Sequence, residues 1–303
     1  MKHLRTTFDF DNEATCLSLL HRAQELKRAR TDRRLEQTLH GFMLAMWFEK
    51  PSTRTRISFD AGMALLGGST VVIHARDAQT ANGETSPDAA RVIGGYVDAL
   101  VVRSVEHSDL EEFARHAGIP IINGMTSLDH PCQALADVLT VYERKEHPFD
   151  LNWAWVGDVS TVTNALVAIA GIFKLKLTIA APKTCQVDQS YLEKSKAMGA
   201  TIHLTEDARE AVSGAHVIMT DSWSRTNDEA WQEKMLPYQL NASLLKEAAD
   251  DHFLLHGLPA NRGQEITEDV MEGRHSLIYE QADNRLPVQQ AILEWLLLSG
   301  GTR

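Results

Sequence analysis

Ser52-Thr53-Arg54-Thr55-Arg56 sets three side-chain hydroxyls and two guanidinium groups in five consecutive residues. An apolar run of strand length, 42–48, precedes it, and Ile57, Phe59, Met63, Leu65 and Leu66 after it suit one face of a helix. Pro51 and Ser52 mark the junction, since Ser favours the N-cap and Pro is tolerated near a first turn. The hydroxyls and arginines therefore lie at a helix N-terminus, where free backbone N–H groups and the helix dipole favour an anion. Arginine adds paired hydrogen bonds suited to phosphate. The other reading, a capped helix with a solvated basic first turn, sets two cations against the dipole and is the less favourable. A second group is His130 with Gln133, three residues apart at a predicted helix start, so that both face one ligand. Imidazole N–H can donate to a carbonyl oxygen, and a Gln amide can serve an amide on both sides. Alone this pair would be a helix cap; beside an arginine loop it reads as a site.

The elements that must position these groups alternate. Helix 11–29 carries Leu17, Leu19, Leu20, Ala23 and Leu26. Strand 70–73, a polar loop 74–85, helix 86–96, strand 99–103 ending in Arg103, helix 106–117 and strand 119–123 follow. The helix that begins near His130 reaches Tyr142, and the charged stretch 143–150 is the clearest linker. A second series has strand 153–156, a Gly157-Asp158 turn, helix 162–173, strand 175–179 and helix 191–198. Strand 215–219 then ends at Thr220-Asp221, strand 253–255 ends at His256-Gly257-Leu258-Pro259, and helix 287–298 closes the chain. This is an α/β pattern of two doubly wound parallel-sheet domains joined by interdomain helices, 1–142 and 143–285. Such sheets bind ligands beyond the carboxyl ends of their strands, where the Ser52–Arg56 loop, Arg103 and the residues after Asn123 fall.

Composition bounds the function. The 303 residues suit two domains of ordinary size, with 44% hydrophobic and 23% charged residues. With 30 Lys and Arg against 41 Asp and Glu, the net charge of −11 argues against nucleic acid or a membrane surface as partner. An acidic protein that takes an anion must gather its positive charge locally, which makes Arg54 and Arg56 more telling. Three scattered cysteines without metal spacing, no apolar leader and no spanning run fit the cytoplasm.

The Ser-Thr-Arg-Thr-Arg segment resembles the phosphate-binding signature of the aspartate/ornithine carbamoyltransferase family. His130-Pro131-Cys132-Gln133 is similar to the carbamoyl-recognition motif of its ornithine branch, and Ala282-Asp283-Asn284-Arg285 resembles the family's Glu-Asn-Arg. The matches run in order along essentially the whole chain. The resemblance implies attack by a neutral amine on the carbonyl carbon of carbamoyl phosphate, with inorganic phosphate leaving and no metal or organic cofactor. It implies that Ser52, Thr53, Arg54 and Arg103 hold phosphate, and that Thr55, Arg103 and His130 hold the carbonyl oxygen. Gln133 and the backbone at Leu258 would accept from the carbamoyl amide, with Arg285 assisting. It further implies that helix 286–303 packs back on the first domain, and that the chain forms a homotrimer or a multiple of one. Gln79 would then reach a neighbour's site; read alone, Gln79 is equally a solvated loop residue.

The amine side departs from the family. Asp221 matches, but Arg225-Thr226-Asn227 stands where ornithine enzymes have Ser-Met-Gly, Ser160-Thr161 replaces an Asn pair, and Gly257 replaces a cysteine. Asp221 can still hold an amine; Arg225 is either a carboxylate partner or a solvated loop arginine. The acceptor is expected to be ornithine or a related amino acid or diamine. The departures predict that plain L-ornithine is poorer than some related amine by about tenfold or more in kcat/KM. Two alternatives stand beside this: a non-catalytic paralogue that binds carbamoyl phosphate and acts through protein contacts, and a dinucleotide-binding dehydrogenase. The second is disfavoured because Gly157-Asp-Val-Ser-Thr-Val lacks the Gly-x-Gly-x-x-Gly spacing.

Overall fold

The structure, a computed structural model, describes residues 1–224 and 227–298. It divides into two compact units, 1–135 with 285–303, and 136–284. The division falls within a helix, between Leu135 and Ala136.

In the first unit, α1 (Glu13–Thr31) starts at Asn12, whose side chain accepts from the Thr15 N–H. Then come β1 (Met43–Phe48), α2 (Thr53–Leu65), β2 (Ser69–His74), α3 (Ser86–Tyr96), β3 (Ala99–Arg103), α4 (His107–His116), β4 (Ile121–Asn123) and the start of α5 (Pro131–Tyr142). The sheet is parallel throughout, in the order β2-β1-β3-β4. Alternate side chains of its inner strands face opposite ways. Ala45, Trp47, Leu100 and Val102 pack on one side with Leu110 and Phe113 of α4. The Trp47 and Phe113 rings lie 5.3 Å apart in a tilted pair.

The second unit holds β5 (Asn152–Val156), α6 (Thr161–Phe173), β6 (Lys176–Ala180), α7 (Gln189–Ala197), β7 (Thr201–Thr205), α8 (Ala208–Val212), β8 (Val217–Thr220), α9 (Glu229–Met235), β9 (Phe253–His256) and α10 (Glu268–Met271). Its sheet is parallel, in the order β7-β6-β5-β8-β9. Buried Trp223, Trp231, Met235 and Tyr238 fill one face of it.

The last helix, α11 (Ile278–Leu298), starts nine residues before the expected 287. Proline usually marks a helix start, yet Pro287 sits inside this one, where it costs roughly 3 kcal/mol through a lost hydrogen bond and a clash. Buried side-chain contacts offset that cost. Gln281 donates to Asp137 at 2.6 Å and Asn284 donates to Thr140 at 3.1 Å. Residues of α11 from Arg285 onward belong to the first unit, where Glu294 accepts from Arg22 and Gln290 donates to the Gly62 carbonyl. Strand β7 and helices α8, α9 and α10 have no counterpart in the sequence reading. β7 is an edge strand with a single buried residue and so lacks an alternating pattern, and α8 spans only five residues.

Candidate active site

In the first unit the strand order turns back between β1 and β3, and their last residues, Phe48 and Arg103, are paired in register. The crevice beyond such a switch point is where open α/β sheets bind ligands. The two loops that leave it are stitched together. The Glu49 N–H donates to the Arg103 carbonyl at 3.0 Å, and the Glu49 carboxylate accepts from the Val105 N–H at 2.7 Å. Ser52 is the N-cap of α2 with extended backbone, but its hydroxyl makes no capping bond, so it is uncommitted to the helix. Ser52, Thr53 and Arg56 line a cavity of about 330 Å³ together with Lys50, His74 and Arg76.

Thr55, in the first turn of α2, is buried and is the meeting point of two arginines. Its hydroxyl oxygen accepts from Arg285 at 2.7 Å and from Arg103 at 3.4 Å. Arg103 also donates to the Gly124 carbonyl at 3.1 Å. With both lone pairs of Thr55 taken, its own hydrogen remains as a donor. Burial, then the nearby Arg54 charge, push the Arg103 guanidinium down to about 10. Burial holds the His130 imidazole well below its ordinary value, and Arg285, Arg103 and Arg54 push it the same way. His130 is therefore neutral near pH 7, and its Nδ1 has no hydrogen-bond partner among the described residues. Gln133 is buried one turn further along α5. Like charges gathered out of water repel one another, and an anion among them removes that cost.

The loop that carries His130 is fixed by the N-terminus of the chain. Asp129, fully buried, accepts from the Thr7 N–H and from the Thr7 hydroxyl, each at 2.7 Å. The Asn123 side chain donates to the Arg5 and Asp129 carbonyls. The sequence reading missed Asp129 and Thr7; the signal it had was a carboxylate directly before the histidine, with nothing to name the distant partner. Gln79 is exposed in a 3-10 turn, Gln79–Asn82, and no described hydrogen bond ties it to Thr55, Arg103 or His130.

In the second unit the order turns back between β5 and β8. Thr220, the last residue of β8, pairs with His256, the last of β9, so Asp221 and Gly257 follow side by side. Ser160, the N-cap of α6, accepts from the Val162 N–H and donates its hydroxyl to Asp221 at 3.2 Å, and the Ser222 N–H donates to the same carboxylate at 2.9 Å. Burial pushes the Asp221 carboxyl above its ordinary value, against the pull of these two donors. A carboxylate so placed favours a cationic or amine partner. Thr161 opens α6 next to Ser160. Leu258, at φ 54°, donates its N–H to His256 Nδ1 at 2.8 Å. That bond requires an unprotonated Nδ1, so Nε2 carries the hydrogen and donates to Glu265 at 3.0 Å, in a pair wholly buried. Gln281 accepts from the His256 N–H at 2.8 Å. His256, Glu265 and Gln281 thus hold the Gly257–Leu258 loop; sequence spacing gave no sign of them. Arg225 lies outside the described residues.

A family model described as "Aspartate/ornithine carbamoyltransferase, carbamoyl-P binding domain" matches residues 2–143, and its companion, "Asp/Orn binding domain", matches residues 150–296. The chain belongs to the aspartate/ornithine carbamoyltransferase family.

Among relatives, the chain is similar to the ornithine carbamoyltransferase of Archaeoglobus fulgidus, at 42% identity over 98% of each chain. It is also similar to that of Bacillus subtilis, at 41% identity over 99% of this chain and 95% of the relative. The solved structure of ornithine carbamoyltransferase from Pyrococcus furiosus superposes with a TM-score of 0.94 at 35% identity, covering 100% of this chain and 98% of that one. These relatives are named as transferases, which leaves the non-catalytic alternative without support, and the family models displace the dehydrogenase reading. No described helix is long and apolar enough to cross a membrane.

Proposed function

We propose that this carbamoyltransferase moves the carbamoyl group of carbamoyl phosphate to ornithine or a closely related amine. The observation that carries the reading is the Thr55 hydroxyl shared by Arg103 and Arg285, with neutral His130 desolvated beside them. Ser52, Thr53, Arg54 and Arg103 bind the phosphate. Thr55, Arg103 and His130 donate to the carbonyl oxygen, whose negative charge grows as the tetrahedral intermediate forms. Arg285 fixes Thr55, and Gln133 accepts from the carbamoyl amide. Asp221, steadied by Ser160 and the Ser222 N–H, holds the acceptor amine.

The amine nitrogen attacks the carbonyl carbon, an N–C bond forms, and the bond from that carbon to the phosphate oxygen breaks. The N–H proton departs with inorganic phosphate. Buried, fixed donors make this electrostatic and positional catalysis. The chain works in the cytoplasm as a homotrimer or a multiple of one. Exposed Ile57 on α2 and exposed Val71 and Val72 on β2 suit burial against another copy, with Gln79 reaching the neighbour.

Phosphate release from carbamoyl phosphate tests the reading across a panel of L-ornithine, shorter diamino acids, N-acylated ornithine and diamines. Amine-dependent release is expected. Release no faster than spontaneous hydrolysis with every amine would refute it.

A further inference from the structure

We infer that His107 is a positioning residue for this reaction: through Thr126 it holds the 124–129 loop in the turn that keeps the Gly124 carbonyl on Arg103 and delivers His130. The inference rests on the reading above, in which Arg103 and His130 hold the carbonyl oxygen. The loop joins β4 to α5, and Met125 within it sits at φ 113°, a conformation that residues with a side chain rarely adopt. Such a residue persists only where its surroundings hold it. On one side of it the Gly124–Met125 peptide is committed at both ends. The Gly124 carbonyl accepts from Arg103 at 3.1 Å, and the Met125 N–H donates to the Asn123 side-chain oxygen at 2.7 Å. On the other side Thr126 opens a tight turn, its N–H donating to the Asp129 carbonyl at 3.2 Å, one residue before His130.

A side chain that holds Thr126 is His107, the first residue of α4. His107 Nδ1 and the Thr126 hydroxyl are 2.9 Å apart, and Thr126 is buried. The other ring nitrogen, Nε2, lies 3.5 Å from the Glu111 carboxylate, so it carries the hydrogen and leaves Nδ1 to accept from the hydroxyl. Burial holds His107 below its ordinary value, in keeping with this neutral form. The hydroxyl oxygen also accepts from the Leu128 N–H at 3.3 Å. Glu111 accepts from Arg5 at 3.2 Å, and the Arg5 carbonyl accepts from the Asn123 side chain at 2.6 Å, which closes the circuit on the residue before Gly124. With Thr126 released, Met125 is free to return to negative φ, and the Gly124 peptide turns away from Arg103.

The test measures phosphate release with carbamoyl phosphate and the most active amine of the panel above, together with the urea midpoint. The variants are His107→Ala, His107→Asn, Thr126→Val and the His107→Ala/Thr126→Val double variant. Asparagine sets a carbonyl oxygen where Nδ1 was, and so can still accept from Thr126. His107→Ala is expected to lower kcat at least about fivefold with KM for the amine within about twofold, and His107→Asn to recover to within about twofold of wild type. Adding His107→Ala to Thr126→Val should cost at most about a further twofold, because both cut one link. A smaller fall in His107→Ala, no recovery in His107→Asn, or losses that multiply in the double variant overturns the inference, as does a lowered urea midpoint with kcat unmoved. If Thr126→Val does not fold, the two His107 variants decide the matter. A wild type that releases no phosphate with any amine would overturn the reaction, and this inference with it; an active wild type with an indifferent His107→Ala overturns the positioning alone.

Discussion

Replacing Thr55 with valine keeps the shape of the side chain and removes one oxygen. That oxygen accepts from Arg285, itself 4% exposed, at 2.7 Å, and more loosely from Arg103 at 3.4 Å. Losing a hydrogen bond to a charged group costs roughly 1.5–3 kcal/mol, and the shorter bond should dominate because Arg103 keeps the Gly124 carbonyl. The same substitution deletes the hydroxyl hydrogen assigned to the carbonyl oxyanion. Removing one such donor lowers kcat by about 10²–10³. Thr55→Val should therefore lower the urea midpoint and reduce kcat by at least about a hundredfold, whereas Thr55→Ser should stay within about tenfold of wild type. Steady-state phosphate release and equilibrium urea unfolding measure the two effects separately. If Thr55→Val retains kcat within threefold while the midpoint falls, the hydroxyl is a structural strut for two arginines and the oxyanion role is wrong.

Arg54→Ala should abolish carbamoyl-phosphate binding by calorimetry with little change in stability; unchanged affinity would end the phosphate assignment. Asp129→Ala should reduce kcat more than it raises KM for carbamoyl phosphate, because the Thr7 clamp positions His130, and Asp129→Asn, which can still bond Thr7, should recover most of the loss. Light scattering should give three copies or a multiple of three at micromolar concentration, and a monomer would refute the assembly. His107, His130 and His252 are all held below the ordinary histidine value of about 6.5, chiefly by burial, so the unfolded chain takes up protons before the folded one does. Stability should be full above about pH 7 and decline as pH falls through 6.5, and a thermal midpoint that rises on acidification over that window would contradict these environments.

The parts of the candidate site carried by one short segment are visible in the sequence. The Ser52–Arg56 run announces itself because hydroxyls and arginines crowd a strand-to-helix junction, and Arg103 because it terminates an apolar strand. What a sequence does not display is pairing between distant segments. Phe48 stands beside Arg103 only through parallel register, and Arg285 meets Thr55 across 230 positions. His256 and Glu265 are nine apart in irregular chain, a spacing that no periodicity marks. The fold errors have a similar origin. Pro287 reads as a start because the penalty for an interior proline is local, while the buried contacts of Gln281 and Asn284 that outweigh it are tertiary. β7, buried at one residue, offers too little alternation to be read as a strand.

The two candidate ligand groups carry opposite signs, and in the proposed reading this helps to sort the substrates. Arg54, Arg103 and Arg285 gather on the first unit; burial, and then the Arg54 charge, depress Arg103, a cost that an anion relieves and an ammonium adds to. Asp221, on the second unit, is raised by burial, a cost that a cation or amine donor would offset and a phosphate would add to. A chain with a net charge of −11 has little general attraction for carbamoyl phosphate, so the arginines must act at short range, where low polarity strengthens them. The neutral His130 beside the arginines can donate a hydrogen bond without adding a further cation to the cluster.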